Sequence, residues 1–239
     1  MGRHEVQWSD EHGGYIALDP TRPGCLASGL TEDEALQALG DAIIGWEQAM
    51  RTSVGQPTLF EPGHDPSSKI LLPLEPGVRG SAEFSGCGNY RRLLTRRWGD
   101  HEDAPFALWI GMSPSLADAT CDDPTTHREC RMTRSWGEKA YVKASLMDYR
   151  ATRPDGLLAP GVVPSSPENL PTILSAAETA TKIVLCYGVV PKSLKGYEET
   201  VINALRLAGH ELWCLGRNGD GSPKHTLYLR SDTPLERFL

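Results

Sequence analysis

Four apolar runs in the C-terminal two thirds of the chain restrict its fold more than any other feature of the sequence. The runs are FALWIG (106–111), AYVKAS (140–145), KIVLCYG (182–188) and HELWCLG (210–216). Segments with helical spacing precede and separate them, and we predict helices over residues 89–98, 124–136, 168–181 and 192–207. Buried strands that alternate with helices are typical of a parallel sheet covered on both faces. The sequence therefore predicts a doubly wound, mostly parallel α/β domain over residues 81–239.

The N-terminal 51 residues follow a different pattern. Residues 4–9 and 14–19 alternate between apolar and polar, which predicts two short strands joined by a turn at EHGG. Pro23-Gly24 predicts a second turn, and CLASG predicts a third strand. Thr31 and Glu34 form a capping-box pattern that begins a helix, whose apolar residues recur at helical spacing: Ala35, Leu36, Leu39, Ile43 and Trp46. Residues 1–51 are thus predicted as a small α+β domain of order β-β-β-α.

Composition also separates the two parts of the chain. Residues 52–80 are rich in Pro, Gly and Ser, which is typical of a linker or an extended crossing segment. The whole chain has 24 Lys+Arg and 31 Asp+Glu, a net charge of −7. Residues 1–66 hold 3 basic and 11 acidic residues, whereas residues 67–239 hold 21 basic and 20 acidic residues. An acidic N-terminal part joined to a near-neutral body indicates two units of different origin.

Several classes of protein are excluded by what the sequence lacks. No apolar run reaches the length of a membrane span, and the first residues contain no apolar signal-peptide segment. The 6 Cys residues are scattered without a CxxC spacing, which argues against a zinc ribbon or a disulfide framework and favours a reducing cytoplasm. Neither a phosphate-loop nor a dinucleotide-binding pattern is present, nor a serine-nucleophile elbow. We therefore predict a cytoplasmic protein that uses no metal and no cofactor.

The stretch DEHGGYIALDPTRPGCLASGLTEDEALQALGDAIIGWEQAM resembles a HicB-type antitoxin domain. The matching features are GGY, the PGC turn, the strand ending in SG, and TEDEAL at the start of the amphipathic helix. The resemblance implies a partial ribonuclease-H-like fold without catalysis of its own, which binds a small basic RNA-cleaving toxin. A domain of this size is only marginally stable alone, so we expect it either to form a homodimer or to pack on a neighbour. Typical antitoxins add a DNA-binding tail, and no such pattern is evident in this chain.

From about Phe84 onward the chain resembles the domain-of-unknown-function family 1643. The matching pieces are FSGCGNYRRLLTRRW, LWIGMSPSLADATCDDPTTHREC, RSWG and CLGRNGDGSPKHTLYL. The family usually has Asn at the positions of Ser113 and Ser145, and Pro at the position of Thr226. A fainter similarity links IGMSPS and NGDGSPKH to the uracil-DNA glycosylase superfamily, which implies a glycosylase-like three-layer fold.

Polar, small-residue segments follow all four predicted strands, at residues 111–115, 145–148, 188–191 and 216–225. Ligands bind beyond the carboxyl ends of strands in open parallel sheets, so these segments predict the functional site. In the loop that begins with the first segment, we predict Asp118 and Asp122 as catalytic, and Ser113, Ser115, Asp123 and Thr125 as substrate-binding. The alternative for Asp123 is an N-cap, with Pro124 as the first residue of the helix.

The last segment adds His225 as a catalytic candidate, with Asn218 and Lys224 as substrate-binding residues. The alternative is a glycine-rich turn that leads into a terminal strand, TLYLR. Two basic segments, residues 79–98 and 128–153, each have a net charge of +4 and lie near aromatic residues in the sequence. They predict nucleic-acid contacts through Arg92, Arg96, Arg128, Arg131 and Arg134, the alternative being a solvated helix face.

These observations favour an enzyme directed at nucleic acid or a nucleotide. Hydrolysis of the N-glycosidic bond to a nucleobase fits best, because a carboxylate would stabilise the positive sugar and His225 or a backbone N–H the departing base. The competing function is a non-enzymatic HicB-like antitoxin or interaction protein that binds a toxin or nucleic acid.

Overall fold

The computed structural model of the protein describes residues 4–9, 14–19, 21, 26–40, 43, 71–99, 104–151 and 154–238. Residues 11–13 of the predicted turn EHGG, the predicted turn at Pro23-Gly24, the helical position of Trp46 and linker residues 52–70 lie outside the described residues. None of the described helices is long and apolar enough to cross a membrane.

The N-terminal described residues form an antiparallel sheet and a helix. Its strands are β1 (Glu5–Ser9), β2 (Gly14–Leu18) and β3 (Leu26–Gly29), paired in the order β1-β2-β3. Helix α1 follows over residues 32–40, with residue 43 also helical. The Thr31 hydroxyl accepts the Glu34 N–H at 3.2 Å, as the capping pattern predicts. Small apolar side chains join the sheet to α1: Ala17, Ala27, Ala35 and Leu39.

The remaining elements build a larger α/β unit. Its strands are β4 (Leu72–Pro73), β5 (Val78–Phe84), β6 (Arg91–Trp98), β7 (Phe106–Gly111), β8 (Cys121–Asp122), β9 (Ala140–Ser145), β10 (Lys182–Leu185), β11 (Leu212–Cys214) and β12 (Glu236–Arg237). Its helices are α2 (Pro124–Ser135), α3 (Asn169–Thr179) and α4 (Lys195–Leu207), with short 3₁₀ turns at Pro154–Leu158, Lys192–Leu194 and Thr226–Tyr228. Strands β4 and β8 form a separate antiparallel pair.

Seven strands form one mixed sheet in the order β12-β11-β10-β7-β9-β6-β5. The four central strands β11, β10, β7 and β9 are parallel neighbours, whereas β12, β6 and β5 pair antiparallel at the two sides. The prediction of a mostly parallel sheet is therefore too simple. The reason is that residues 91–98 form a strand and not the predicted helix, since they pair with both β5 and β9.

The alternation of side chains along the central strands buries two separate hydrophobic clusters. Leu108 and Ile110 of β7 join the cluster that contains residues of α3 and α4. Ala107 and Trp109 join the cluster that contains Met132 of α2. Successive residues of a strand point to opposite faces, so the two clusters lie on the two faces of the sheet. The predicted helices at 124–136, 168–181 and 192–207 are confirmed to within a few residues at their ends.

Two further predictions differ from the structure. The expected terminal strand TLYLR begins instead as the 3₁₀ turn Thr226–Tyr228, and the last strand of the sheet is β12. Part of the expected linker is regular, because β4 and the first residues of β5 fall within residues 52–80. In the second place pairing with distant strands decides the conformation, because β4 pairs with β8 and β5 pairs with β6.

Candidate functional site

The loops that follow the parallel strands meet at one edge of the sheet, as predicted from their polar composition. The N–H of Leu146, just after β9, donates to Gly111 O at 2.9 Å. The N–H of Cys186, just after β10, donates to Ile110 O at 2.9 Å. The loops after β7, β9 and β10 are thereby fixed against one another.

The order in which the chain adds strands to the sheet reverses between β7 and β10, which are themselves parallel. After β7 the chain continues to β9 on one side, and it returns later to β10 on the other side. A crevice at such a switch point is the usual ligand site of open α/β sheets. Gly188 follows β10 with φ of +70°, and a Cβ added there would lie 3.5 Å from Cβ of His225. His225 Nδ1 accepts the Leu227 N–H at 3.3 Å, so the imidazole is held beside the switch point.

A buried polar cluster lies beneath the switch point, on the face of the sheet that α2 covers. Glu129 of α2 is fully buried, and its Oε2 accepts hydrogen bonds from Tyr141 OH at 2.6 Å and from Lys143 Nζ at 2.7 Å. The Cys186 thiol donates to Glu129 Oε1 at 3.3 Å. Buried charges are tolerated only when they are paired and hydrogen-bonded. The fold therefore has to bring α2, β9 and the end of β10 together at this position.

The Glu129–Lys143 pair sets the charges within the cluster. Burial by itself would lower the pKa of Lys143, but the Glu129 carboxylate outweighs burial and raises it, so the ammonium stays charged at neutral pH. Burial, reinforced by Glu129, raises the pKa of the Tyr141 phenol and of the Cys186 thiol, which therefore stay protonated. A Cβ added to Gly111 would lie 2.9 Å from Lys143 Cε. The glycine at the end of β7 therefore leaves the space that the Lys143 side chain fills.

Asp123 is the N-cap of α2 and is linked electrostatically to the same cluster. Its Oδ1 accepts the Thr126 N–H at 2.8 Å, which confirms the capping prediction. Burial would raise the pKa of Asp123, but the charges of Lys143 and Arg91 and the Thr126 hydrogen bond outweigh burial and lower it. Asp123 is therefore an ionised, buried carboxylate. Thr125 lies in the first turn of α2 and is half-buried.

Asp122 lies in a different ion pair, with Arg96. The fully buried Arg96 guanidinium donates to Asp122 Oδ1 through Nε at 2.8 Å, and its Nη2 lies 2.8 Å from the same oxygen. Burial raises the pKa of Asp122 to about 6 against the opposing effect of Arg96. Arg96 also donates to the carbonyl oxygens of Asp118 and Cys121, at 2.6 and 3.0 Å. All of these contacts hold the loop after β7 onto the sheet.

Asp118 stabilises the turn in which it lies. Its Oδ1 accepts the N–H of Thr120 at 2.7 Å, the Thr120 hydroxyl at 2.9 Å and the N–H of Cys121 at 3.1 Å. The Thr120 N–H leads the hydrogen bonds that lower the pKa of Asp118 to about 2. Arg96, which holds this loop, is on β6, three strands away from β10. The carboxylates of Asp118 and Asp122 are thus engaged by their own loop and by Arg96.

The two serines of the first segment lie beside the loop that follows β9. Ser113 Oγ donates to Ala151 O at 3.4 Å. Ser115 lines a cleft of about 210 Å³ together with Asn89, Tyr149 and Arg150. The cleft lies where the loops after β7 and β9 meet the turn between β5 and β6.

The late loop folds largely on itself. Asn218 Nδ2 donates to Ser222 Oγ at 3.0 Å, and Asp220 Oδ1 accepts the Ser222 hydroxyl at 2.6 Å. The Lys224 N–H donates to Gly216 O at 2.9 Å, and Lys224 Cδ would lie 3.6 Å from a Cβ on Gly216. These contacts correspond to the glycine-rich turn, and they present His225 at the end of the loop.

The predicted phosphate-binding arginines have different surroundings. Arg134 pairs with Glu75 and lies over the Trp98 ring at 4.7 Å, and Arg128 donates to Leu229 O. Arg92 lies 3.7 Å from the Glu168 carboxylate, and Arg96 is buried. Arg131 is exposed. The fold therefore does not present these five arginines as a single basic surface.

Sequence reasoning did not identify Glu129, Tyr141, Lys143 and Cys186 as site residues. One signal was available: Lys143 interrupts AYVKAS, a strand that is otherwise apolar or small and that the structure buries throughout. A lysine in a buried strand requires a buried acidic partner. Which carboxylate becomes that partner depends on how α2 packs across the sheet, and the local sequence does not determine that packing.

Among the described residues, no group of three or more His, Cys, Asp or Glu side chains is placed to hold a metal ion. Comparison with curated proteins and with solved structures found no match. The model of the family described as "Protein of unknown function (DUF1643)" matches residues 91–227. This range is more than half of the chain and contains β6 through the His225 loop, together with the buried cluster. The chain therefore belongs to the DUF1643 family.

Proposed function

We propose that this protein is an enzyme directed at nucleotides or nucleic acid, which hydrolyses the N-glycosidic bond to a nucleobase at the switch point between β7 and β10. The observation that carries the proposal is the placement of His225 against Gly188 at that point, above the buried Lys143–Glu129 cluster. Buried charged networks cost stability, and they occur preferentially where function requires them. This network lies where open α/β sheets bind their ligands.

The chemistry of the reaction assigns a role to each group. Cleavage of a glycosidic bond develops positive charge on the sugar, which a fixed, ionised carboxylate stabilises. Asp123 meets this requirement, because its pKa is lowered and it is joined electrostatically to Lys143 beneath Gly111. In the proposed reaction His225 donates a proton to the departing base as the C–N bond breaks, water adds to the sugar carbon, and the proton that water releases returns to His225. We assign the carboxylate role to Asp123, because the charge of Lys143 in the buried cluster lowers its pKa, whereas the Asp122 carboxylate pairs with Arg96 and the Asp118 carboxylate caps its own turn.

The test is the release of free base. The purified protein is incubated with nucleosides, nucleoside monophosphates and single- and double-stranded oligonucleotides with normal and deaminated bases, and the products are separated by chromatography. We expect base release from at least one substrate. Asp123→Asn and His225→Ala should each lower kcat/KM by about 10²–10⁴-fold, the usual contribution of such a group. Asn caps a helix as well as Asp does, so Asp123→Asn removes the carboxylate charge and keeps the N-cap.

Matched controls separate chemistry from folding. His210→Ala changes a histidine just before β11, at the opposite edge of the sheet, and should leave base release unchanged. Asp232→Asn changes an exposed aspartate and serves as the partner control for Asp123→Asn. Absence of base release from every substrate, or release unaffected by both site variants, would refute the proposal.

The likeness to the uracil-DNA glycosylase superfamily is part of the same proposal. IGMSPS ends β7 and begins the first loop, and NGDGSPKH leads to His225. Helix-lined clusters lie on both faces of the sheet, which agrees with a three-layer arrangement. Ser113 and Ser145 replace asparagines of the family pattern, so we expect a substrate preference that differs from that of family members with asparagine.

A second function is favoured by the N-terminal unit. We propose that this HicB-like unit mediates interaction, either with a second copy of the chain or with a small basic toxin. Trp8 lies on the edge strand β1 and is 53% exposed, in edge-to-face contact with Tyr15 at 5.2 Å between ring centroids. Light scattering of the full chain should give a dimer that Trp8→Ser dissociates. If the protein is a monomer and does not bind the small basic protein encoded by an adjacent short reading frame, this second function is refuted.

A further inference from the structure

The cleft beside Ser115 has rigid walls built from three separate segments of the chain. The N–H of Arg150 donates to Asn89 O at 2.9 Å, which joins the loop after β9 to the turn between β5 and β6. The N–H of Ala151 donates to Pro114 O at 3.1 Å, which joins the same loop to the segment after β7. Because these bonds are made within the protein, the cleft exists before a ligand arrives. A preformed site avoids the entropic cost of ordering loops on binding.

The side chains of the cleft combine a ring face with hydrogen-bonding groups. Tyr149 is half-buried, and its ring is fixed by an edge-to-face contact with Tyr90 at 5.5 Å between centroids. Asn89 is exposed, and its carboxamide supplies both a donor and an acceptor. The Arg150 guanidinium lies 4.9 Å from the Phe84 ring centroid, and Nη1 donates to Gly88 O at 3.2 Å. A fixed positive charge therefore lies at the rim of the cleft.

This combination selects a small planar ligand. The cleft, at about 210 Å³, is smaller than the roughly 300–1,000 Å³ typical of sites for drug-sized molecules, so a single heterocycle is the appropriate size. Tyrosine stacks on nucleobases whatever their sequence. An asparagine carboxamide matches the donor and acceptor pair on a base edge. Arginine at the rim matches a phosphate.

We propose that the cleft bounded by Asn89, Ser115, Tyr149 and Arg150 is a nucleobase subsite, in which the base stacks on Tyr149 and hydrogen-bonds to Asn89 while a phosphate faces Arg150. The inference rests on the proposed function and identifies which residues of the proposed enzyme bind the nucleobase of the substrate. The cleft and the switch-point crevice share the loop after β7, which connects the subsite to the proposed reaction site.

Cys87 provides a reporter for occupancy of this cleft. It is exposed and immediately precedes Gly88, which lines the cleft. Hydrogen bonds from the Ser85 hydroxyl and the Asn89 N–H lower the pKa of its thiol, which increases its reactivity at neutral pH. Alkylation of Cys87 can be followed by peptide mass spectrometry, which distinguishes it from the other cysteines.

The experiment measures Cys87 alkylation in the full chain with AMP, GMP, CMP or UMP and with inorganic phosphate as the control anion. We expect at least one nucleotide to slow alkylation more than fivefold at saturation, and phosphate to slow it less than twofold. Isothermal titration of the same nucleotide should show Kd raised about tenfold by Asn89→Ala and by Tyr149→Leu. Tyr149→Phe keeps the ring face and should leave Kd within twofold of the unmodified protein.

The outcomes separate this inference from the proposed function. Equal protection by phosphate and nucleotides, or nucleotide binding that Asn89→Ala and Tyr149→Leu leave unchanged, overturns the base subsite. If the protein releases free base and neither Asn89→Ala nor Tyr149→Leu changes the KM, the base subsite is also overturned. The same result supports the proposed function. Protection of Cys87 by a nucleotide without base release supports the subsite and refutes glycosidic hydrolysis.

Discussion

Two buried ion pairs lie on the same face of the large sheet, and they serve different purposes. Arg96 pairs with Asp122 and also donates to the carbonyl oxygens of Thr95, Asp118 and Cys121, so it fixes backbone. Lys143 pairs with Glu129, which in turn accepts hydrogen bonds from the side chains of Tyr141 and Cys186. The first pair holds a loop over β6, whereas the second arranges side chains from three elements beneath the switch point. Buried charge by itself therefore does not distinguish a pair that fixes backbone from one that arranges side chains; the hydrogen-bond partners do.

The largest expected effect comes from breaking either pair. Lys143→Met leaves Glu129 buried without its counter-ion, and Arg96→Met does the same to Asp122. Removal of one partner of a buried pair costs about 3–5 kcal/mol. We expect both variants to lose a free energy of unfolding of this size, measured by urea denaturation followed by circular dichroism. A loss below about 1 kcal/mol in either variant would mean that its pair is solvated in solution.

Double replacements distinguish the two pairs. Lys143→Met with Glu129→Leu removes both charges, and stability should recover by about 1–3 kcal/mol relative to Lys143→Met. Arg96→Met with Asp122→Leu should recover less, because the carbonyl oxygens of Thr95, Asp118 and Cys121 still lack their donor, whereas the first double variant leaves one hydroxyl, that of Tyr141, and one weakly bonding thiol, that of Cys186, without the Glu129 acceptor.

Activity should show the opposite order. The Lys143/Glu129 double variant should lose at least about tenfold in base release, because it removes the Lys143 charge that helps to keep Asp123 ionised. The Arg96/Asp122 double variant, assayed well below its unfolding temperature, should retain activity within about threefold. Equal losses of base release in the two double variants would contradict the proposal that the Lys143–Glu129 pair supports the reaction whereas the Arg96–Asp122 pair holds the loop.

Asp118 gives a smaller effect with a defined pH dependence. Its pKa is lowered from 3.8 to about 2 in the folded protein, so its contribution to stability is present above pH 3.8 and is lost as the pH falls through 2. Asp118→Asn keeps an acceptor for the Thr120 N–H but removes the charge. We expect the variant to be about 1–2 kcal/mol less stable at pH 6–7, with the difference disappearing toward pH 2. Urea denaturation across this pH range would contradict the assignment if the difference were constant.

The smallest effect is expected at an exposed pair. Arg230 and Asp232 lie 3.0 Å apart but are more than half exposed, at 55% and 68% of their side-chain surface. Water and salt screen such pairs, so Asp232→Ala should leave the thermal midpoint unchanged within error. A clear decrease would indicate that distance, rather than burial, determines what an ion pair contributes in this protein.

The fold could be predicted where local pattern and tertiary packing agree. FALWIG and AYVKAS form central strands because both faces of the sheet are covered, and Asp123-Pro124 begins α2 as an N-cap followed by proline. Residues 91–98 show where the two disagree. Arg91 and Arg96 are buried together with Leu94 as strand residues, although the apolar spacing of RRLLTRRW also suits a helix. Only pairing with β5 and β9 decides between the two conformations.

The sequence by itself determined that polar segments follow the parallel strands and therefore meet at one edge of the sheet. It also determined that residues 1–66 carry the excess of negative charge. Only the tertiary structure decided which charged side chains become partners, because α2 places Glu129 over Lys143, and the loop after β7 places Asp122 over Arg96. A local pattern specifies which face a residue occupies, whereas a buried charge is satisfied by a group that is distant in sequence. For this reason strands and a helix cap were predictable, and the cluster beneath the switch point was not.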